Sequence, residues 1–422
     1  MAGPVAACAL AFVLLTTSCS DVANPESTSD TSDTSDPRAQ TSGPATSTAS
    51  PRVATGAALD ELNRELIDAA WDNDVDLARE LIGDGADVNY EDDTEQSAYL
   101  IATSEGHLQL LELTLDNGAD VASLDSFNGT GLIRAAERGH ADIVGRLLQT
   151  EIDVNHINNL GWTALHEAII LGDGDQQALD TVRLLVAGGV DVQLPSRDNA
   201  LPLELARGRG QHDIAATIQA ALDGEDTADA DGALLDAAIS GDADAAALAL
   251  GAGADIEARD PSRRTPLLLS VTFDQVEVAR ILVALGADPD ALDDRHDTPW
   301  LVTGVTGSVE MAEILLGVDP DLTVLNRFGG TSLIPASERG HIDYVKRVVQ
   351  TDVDINHVND LGWTALMEAV LLGGGSSAHE EIIRVLLGAG ADPSIADGDG
   401  TTPTEHAKTR GYDEIAQLLS EG

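Results

Sequence analysis

The chain has 422 residues, a formal charge of −50 and only two lysines, Lys346 and Lys408. That balance excludes nucleic-acid binding, which depends on Lys and Arg neutralising phosphates, and leaves no basic patch for an anionic membrane surface. Aromatic residues are 3% of the chain against 43% hydrophobic, so small side chains in closely packed helices, not one large globular core, are expected to do the burying.

The first expected element is an export signal over residues 1–19. The apolar run "PVAACALAFVLLTTSC" is too short to span a bilayer as a helix, which takes about 20 residues. Its end, "LTTSC", resembles a bacterial lipobox, although Leu15 stands one place further from Cys19 than that pattern has and no Lys or Arg precedes the apolar core. Cys8 would leave with the signal. Cys19 then remains alone, giving no disulfide framework, cysteine metal site or catalytic thiol, but a lipidation site at the mature terminus. The resemblance implies an exported protein, lipid-anchored and facing outward, with plain secretion as the alternative. Residues 20–57, rich in Ser, Thr, Asp and Pro, cannot bury enough surface to fold and read as a tether spanning on the order of 35 Å.

From there the chain is periodic. The Asp of a recurring "GAD" phrase falls at Asp87, Asp120, Asp153 and Asp191, then at Asp255, Asp288, Asp321, Asp354 and Asp392. The steps are 33 residues, save a last step of 38 in each series. This divides the folded part into a first array, 58–221, an acidic linker, 222–232, and a second array, 233–422. Within each period "TALHEAIILG", "TPLLLSVTFD", "TSLIPASERG" or "TPTEHAKTRG" opens on a helix-capping Thr, often with Pro at the first helical position. A second apolar stripe and a turn follow.

A 33-residue period of this kind resembles ankyrin repeats from about residue 59 to 421. The resemblance implies an all-α repeat solenoid, helix-turn-helix units with β-turn fingers, in two related arrays. It also implies recognition of a protein partner through the fingers and first helices, with affinity concentrated in a few anchors.

The arrays are copies. Asn128–Gly172 aligned on Gly329–Gly373, a shift of 201 residues, gives 28 identities in 45 positions. The duplicated phrase, "VNHINNLGWTALHEAIILGDG" and "INHVNDLGWTALMEAVLLGGG", carries the candidate site: Trp162 and Trp363 before the capping Thr, where the resemblance implies an exposed tip, and Phe127 and Phe328 one repeat earlier. His156 with Asn158, and His357 with Asn359, alternate along one side of a finger strand. With Glu167 and Glu368 they frame an alternative: an envelope sensor whose duplicated polar pockets bind a small ligand or metal. The longer loops Leu171–Asp180 and Leu372–Glu381 lie nearby.

No H-E-x-x-H, G-x-S-x-G or P-loop occurs. The reading is therefore a non-catalytic interaction scaffold without cofactor or metal, touching the membrane only through its lipid anchor. The acidic surface fits either solubility or attraction for a cationic partner.

Overall fold

In the computed structural model, residues 55–224 and 229–421 are described. The export signal, Cys19 and nearly all of the tether lie outside them. The first array consists of five helix pairs: α1 (Ala57–Trp71) with α2 (Val75–Gly83), α3 (Ala98–Glu105) with α4 (Leu108–Asp116), α5 (Gly131–Arg138) with α6 (Ala141–Leu148), α7 (Ala164–Ile170) with α8 (Gln176–Ala187), and α9 (Pro202–Arg209) with α10 (His212–Asp223).

The second array has six. They are α11 (Ala230–Ser240) with α12 (Ala243–Gly251), α13 (Pro266–Thr272) with α14 (Val276–Ala284), α15 (Pro299–Thr306) with α16 (Val309–Leu316), α17 (Leu333–Arg339) with α18 (Ile342–Val348), α19 (Ala365–Leu371) with α20 (Ser377–Gly388), and α21 (Pro403–Arg410) with α22 (Asp413–Glu421). Only helices, turns and one isolated bridge, Leu124 with Thr130, occur among the described residues.

Local chemistry sets each pair. Thr163, Thr265, Thr298 and Thr364 each accept a bond from a backbone N–H in the first helical turn, satisfying a donor that has no partner within the helix. At Gly139 and Gly340 the first helix ends with φ at 72° and 83°, a left-handed turn that favours glycine and throws the chain into the second helix. First helices stack on first helices and second on second, so most of the apolar surface of each repeat is buried against its neighbours. Leu132, Leu165, Leu333 and Leu366 are wholly enclosed in that stack, each contributing about 2 kcal/mol.

The two arrays do not simply continue one another. α12 lies on α8 and α14 on α6, second helix against second helix. Small residues make this approach possible: Ala243, Ala246, Ala247 and Ala249 are buried on α12, and Gly145 of α6 meets Ala284 of α14. Polar bonds tie the seam. Arg183 Nε bonds Asp244 at 2.7 Å, Thr217 Oγ1 donates to the same carboxylate at 3.0 Å, and Gln149 Nε2 donates to the Ala284 carbonyl at 2.8 Å. The seam uses second helices, and on the fingers of both arrays Phe127, Leu160, Phe328 and Leu361 are exposed.

Candidate functional site

Each finger is a short turn closed by a side chain. In most repeats that side chain is an aspartate: Asp125 accepts from Phe127 N at 2.9 Å and from Gly129 N at 2.8 Å. In the duplicated phrase it is asparagine. Asn158 Oδ1 accepts from Leu160 N and Trp162 N, both at 3.0 Å, and Asn359 does the same for Leu361 and Trp363.

The change from Asp has a visible cause. Asn158 Nδ2 donates to Glu167 Oε1 at 2.7 Å, and Asn359 Nδ2 to Glu368 Oε1 at 2.8 Å. An aspartate would have no proton to give and would set a second charge beside a buried one. Both glutamates are buried, and Glu167 Oε2 has no partner. Burial pushes their carboxyls up to about 7. Around Glu167 the Asn158 bond opposes this, Glu137 and Asp125 add to it and Arg134 works against it; around Glu368, Glu338 adds and the Asn359 bond opposes.

The histidines serve elsewhere. His156 Nε2 donates to the Asn128 carbonyl at 2.8 Å and His357 Nε2 to the Gly329 carbonyl at 2.6 Å, each strapping its finger to the one before. They therefore do not complete a His-Asn-Glu pocket, which the small-ligand reading required. Among the described residues no group of three or more His, Cys, Asp and Glu is placed to hold a metal ion. His166, fully buried, accepts from Thr163 N through Nδ1 at 3.3 Å and closes a capping box; Met367 takes its place in the copy.

The tryptophans are half-buried, whereas Phe127 and Phe328 are 58% and 51% exposed. The finger hydrogen bonds also fix their register. Phe127 stands two residues after its turn-closing side chain, as Leu160 does, whereas Trp162 stands four after. Leu160 and Leu361 are 46% and 56% exposed. Down the fingers this position reads Thr94, Phe127, Leu160, Asp198, Ser262, Arg295, Phe328, Leu361 and Asp399. Only the two duplicated pairs are apolar, a signal that aligning the turns alone would have exposed. Leu171 and Leu372, at the start of the long loops, are exposed too.

In the second array these side chains rim a cavity of about 390 Å³ whose walls come from the fingers and from α13, α15, α17 and α19. Phe328, Leu361, Leu372 and Glu368 all line it. The Arg327 guanidinium sits 4.5 Å from the centre of the Phe328 ring and pairs with Asp297 at 3.2 Å. The surface is thus a groove with an apolar edge, fixed charges and a buried carboxyl in its floor.

The chain is similar in sequence to known proteins. A putative ankyrin repeat protein, YahD of Escherichia coli (strain K12), is 45% identical over 53 residues, 13% of this chain and 26% of that relative. A crystallised ankyrin repeat domain from Acinetobacter baumannii AYE is 42% identical, covering 44% of this chain and 96% of that one, with a TM-score of 0.43. The ankyrin repeat protein EF0377 is 38% identical over 45% of this chain and 98% of its own, with a TM-score of 0.44. A family model described as ankyrin repeats (three copies) matches residues 66–158, 100–196, 132–226, 234–323 and 301–397, which together run through most of both arrays. That family-model match, over more than half of the chain, shows that the chain belongs to the ankyrin repeat family.

Proposed function

We propose that this protein is a non-catalytic interaction module that binds a protein partner through its fingers and first helices, held at the outer face of a bacterial cell membrane by a lipid on Cys19. Ankyrin repeats are generally protein-interaction scaffolds, and the family is typically non-catalytic. One observation carries the assignment to this face. The exposed apolar pairs Phe127 with Leu160 and Phe328 with Leu361 recur at the same finger position in both arrays, where other fingers are polar. Large apolar side chains left about half exposed and rimmed by charge are what interfaces use as anchors.

Partner capture from envelope extracts tests this, comparing the parent chain with a Phe127→Ala, Leu160→Ala, Phe328→Ala, Leu361→Ala variant. Capture lost with unchanged thermal unfolding supports the reading; undiminished capture removes the finger face from it. Metabolic labelling with a fatty-acid analogue, present in the parent and absent in Cys19→Ser, tests the anchor separately.

A further inference from the structure

The duplication supplies an internal comparison. In the first array Arg134 lies 2.8 Å from Glu137 Oε2 and 3.3 Å from Asp125 Oδ2, and is the cation that bears on Glu167. The matching residues 201 positions on are Glu338, Asn326 and Glu368, and Arg134 is replaced by Pro335. The arginine that pairs with Glu137 and Asp125 is therefore gone, one of those two acids has become Asn326, and Glu338 and Glu368 are kept. Asn326 still closes its finger, accepting from Phe328 N at 2.9 Å and Gly330 N at 3.0 Å, so the turn survives without the charge that Arg134 balances in Asp125.

Where the guanidinium would be, the second array has its cavity, lined by Asn326, Pro335, Glu338 and Glu368 and edged by Phe328 and Leu372. Three other arginines of the groove are paired: Arg264 with Asp260 at 2.7 Å, and Arg295 and Arg327 with Asp297. Arg339 also lines the cavity; its counterpart Arg138 pairs with Glu105, whose own counterpart is Thr306. No cation is among the groups that set the Glu368 carboxyl, and Glu338 pushes it further up. Asp293 and Asp297 complete the charged lining.

We propose that this cavity receives an arginine side chain of the protein partner, its guanidinium facing Glu338 and Glu368 in the place that Arg134 takes beside Glu137 in the first array. The proposal rests on the reading of the chain as a protein-interaction module. The planar fork of arginine matches two carboxylates, and its methylenes lie along Phe328 and Leu372. A net charge of −50 draws such a partner in.

The test is calorimetric titration of the full chain with an acetylated, amidated Gly-Leu-Arg-Leu-Gly peptide and its citrulline twin, which keeps the shape and loses the charge. The arginine peptide should bind roughly tenfold or more tighter. Pro335→Arg, which refills the cavity as in the first array, should abolish that preference, whereas Pro335→Ala should keep it. Since one added charge barely alters −50, an undiminished preference in Pro335→Arg would reduce the effect to diffuse attraction and overturn the proposal, as would equal binding of the two peptides by the parent. Finger-dependent capture from envelope extracts that persists in Pro335→Arg, beside peptides that show no preference, sinks the arginine pocket alone; loss of finger dependence sinks the broader reading.

Discussion

Gly145 lies against Ala284 so closely that a Cβ on residue 145 would stand 2.6 Å from the Ala284 carbonyl oxygen. Its counterpart in the second array is Lys346, half-exposed and 3.2 Å from Glu381. One copy needs glycine because a helix of the other array lies on it, and the other copy carries a long cation. Glycine inside a helix otherwise costs about 1 kcal/mol relative to alanine, so its place here is explained by the seam.

Gly145→Lys should therefore destabilise the chain by about 1–3 kcal/mol through overpacking, in spite of the better helix former. Urea unfolding gives the loss, and small-angle scattering should show a larger radius as the arrays part. Lys346→Gly should cost no more than about 1 kcal/mol and leave the radius unchanged. Equal effects at both positions would contradict the second-helix seam.

The buried glutamates predict a pH dependence. Glu167 and Glu368 are pushed by burial from 4.5 to about 7. Between those values the folded chain holds protons that the unfolded chain gives up, so stability falls as pH rises from 4.5 through 7. Each carboxyl contributes on the order of 2–3 kcal/mol to that fall. Repulsion among the remaining acids acts in the same direction, so the comparison is with Glu167→Gln, Glu368→Gln. That variant should match the parent near pH 4.5 and exceed it at pH 8; parallel curves would show that the two carboxyls ionise freely.

Asn359→Asp should cost about 1–3 kcal/mol at pH 8 by removing the donor to Glu368 and setting a second carboxylate beside it. The loss should shrink at pH 5, where Glu368 is protonated. Asn326→Asp only restores the residue type of Asp125 at a finger turn and should stay within about 1 kcal/mol of the parent. Denaturation at the two pH values separates the cases.

Much of this was legible in the residue string. The 33-residue spacing marks most repeats, because helix pairs of fixed length must stack at fixed intervals, and a capping Thr opens several of them. The pairing of Asn158 with Glu167 was only partly legible: the sequence puts them nine residues apart, on a finger and the helix after it, but does not say that His156 turns to the previous finger instead. A ring before a helix cap reads as a tip, which points to Trp162 and Trp363, whereas the register of Leu160 and Leu361 beside Phe127 and Phe328 shows only in the hydrogen bonds of the turn. The seam is illegible from periodicity, because it joins residues 27, 61 and 135 apart, none a multiple of the repeat; the contrast between Gly145 and Lys346 is its trace.

Photo-crosslinking tests the central claim most directly. Benzoylphenylalanine would replace Phe127, Phe328 and, as a control on a second helix, Lys346 in the full chain, irradiated in its native envelope. Recognition through the fingers predicts discrete adducts to a protein from positions 127 and 328 and none from 346. Adducts from 346 alone, or equally from all three, would contradict it.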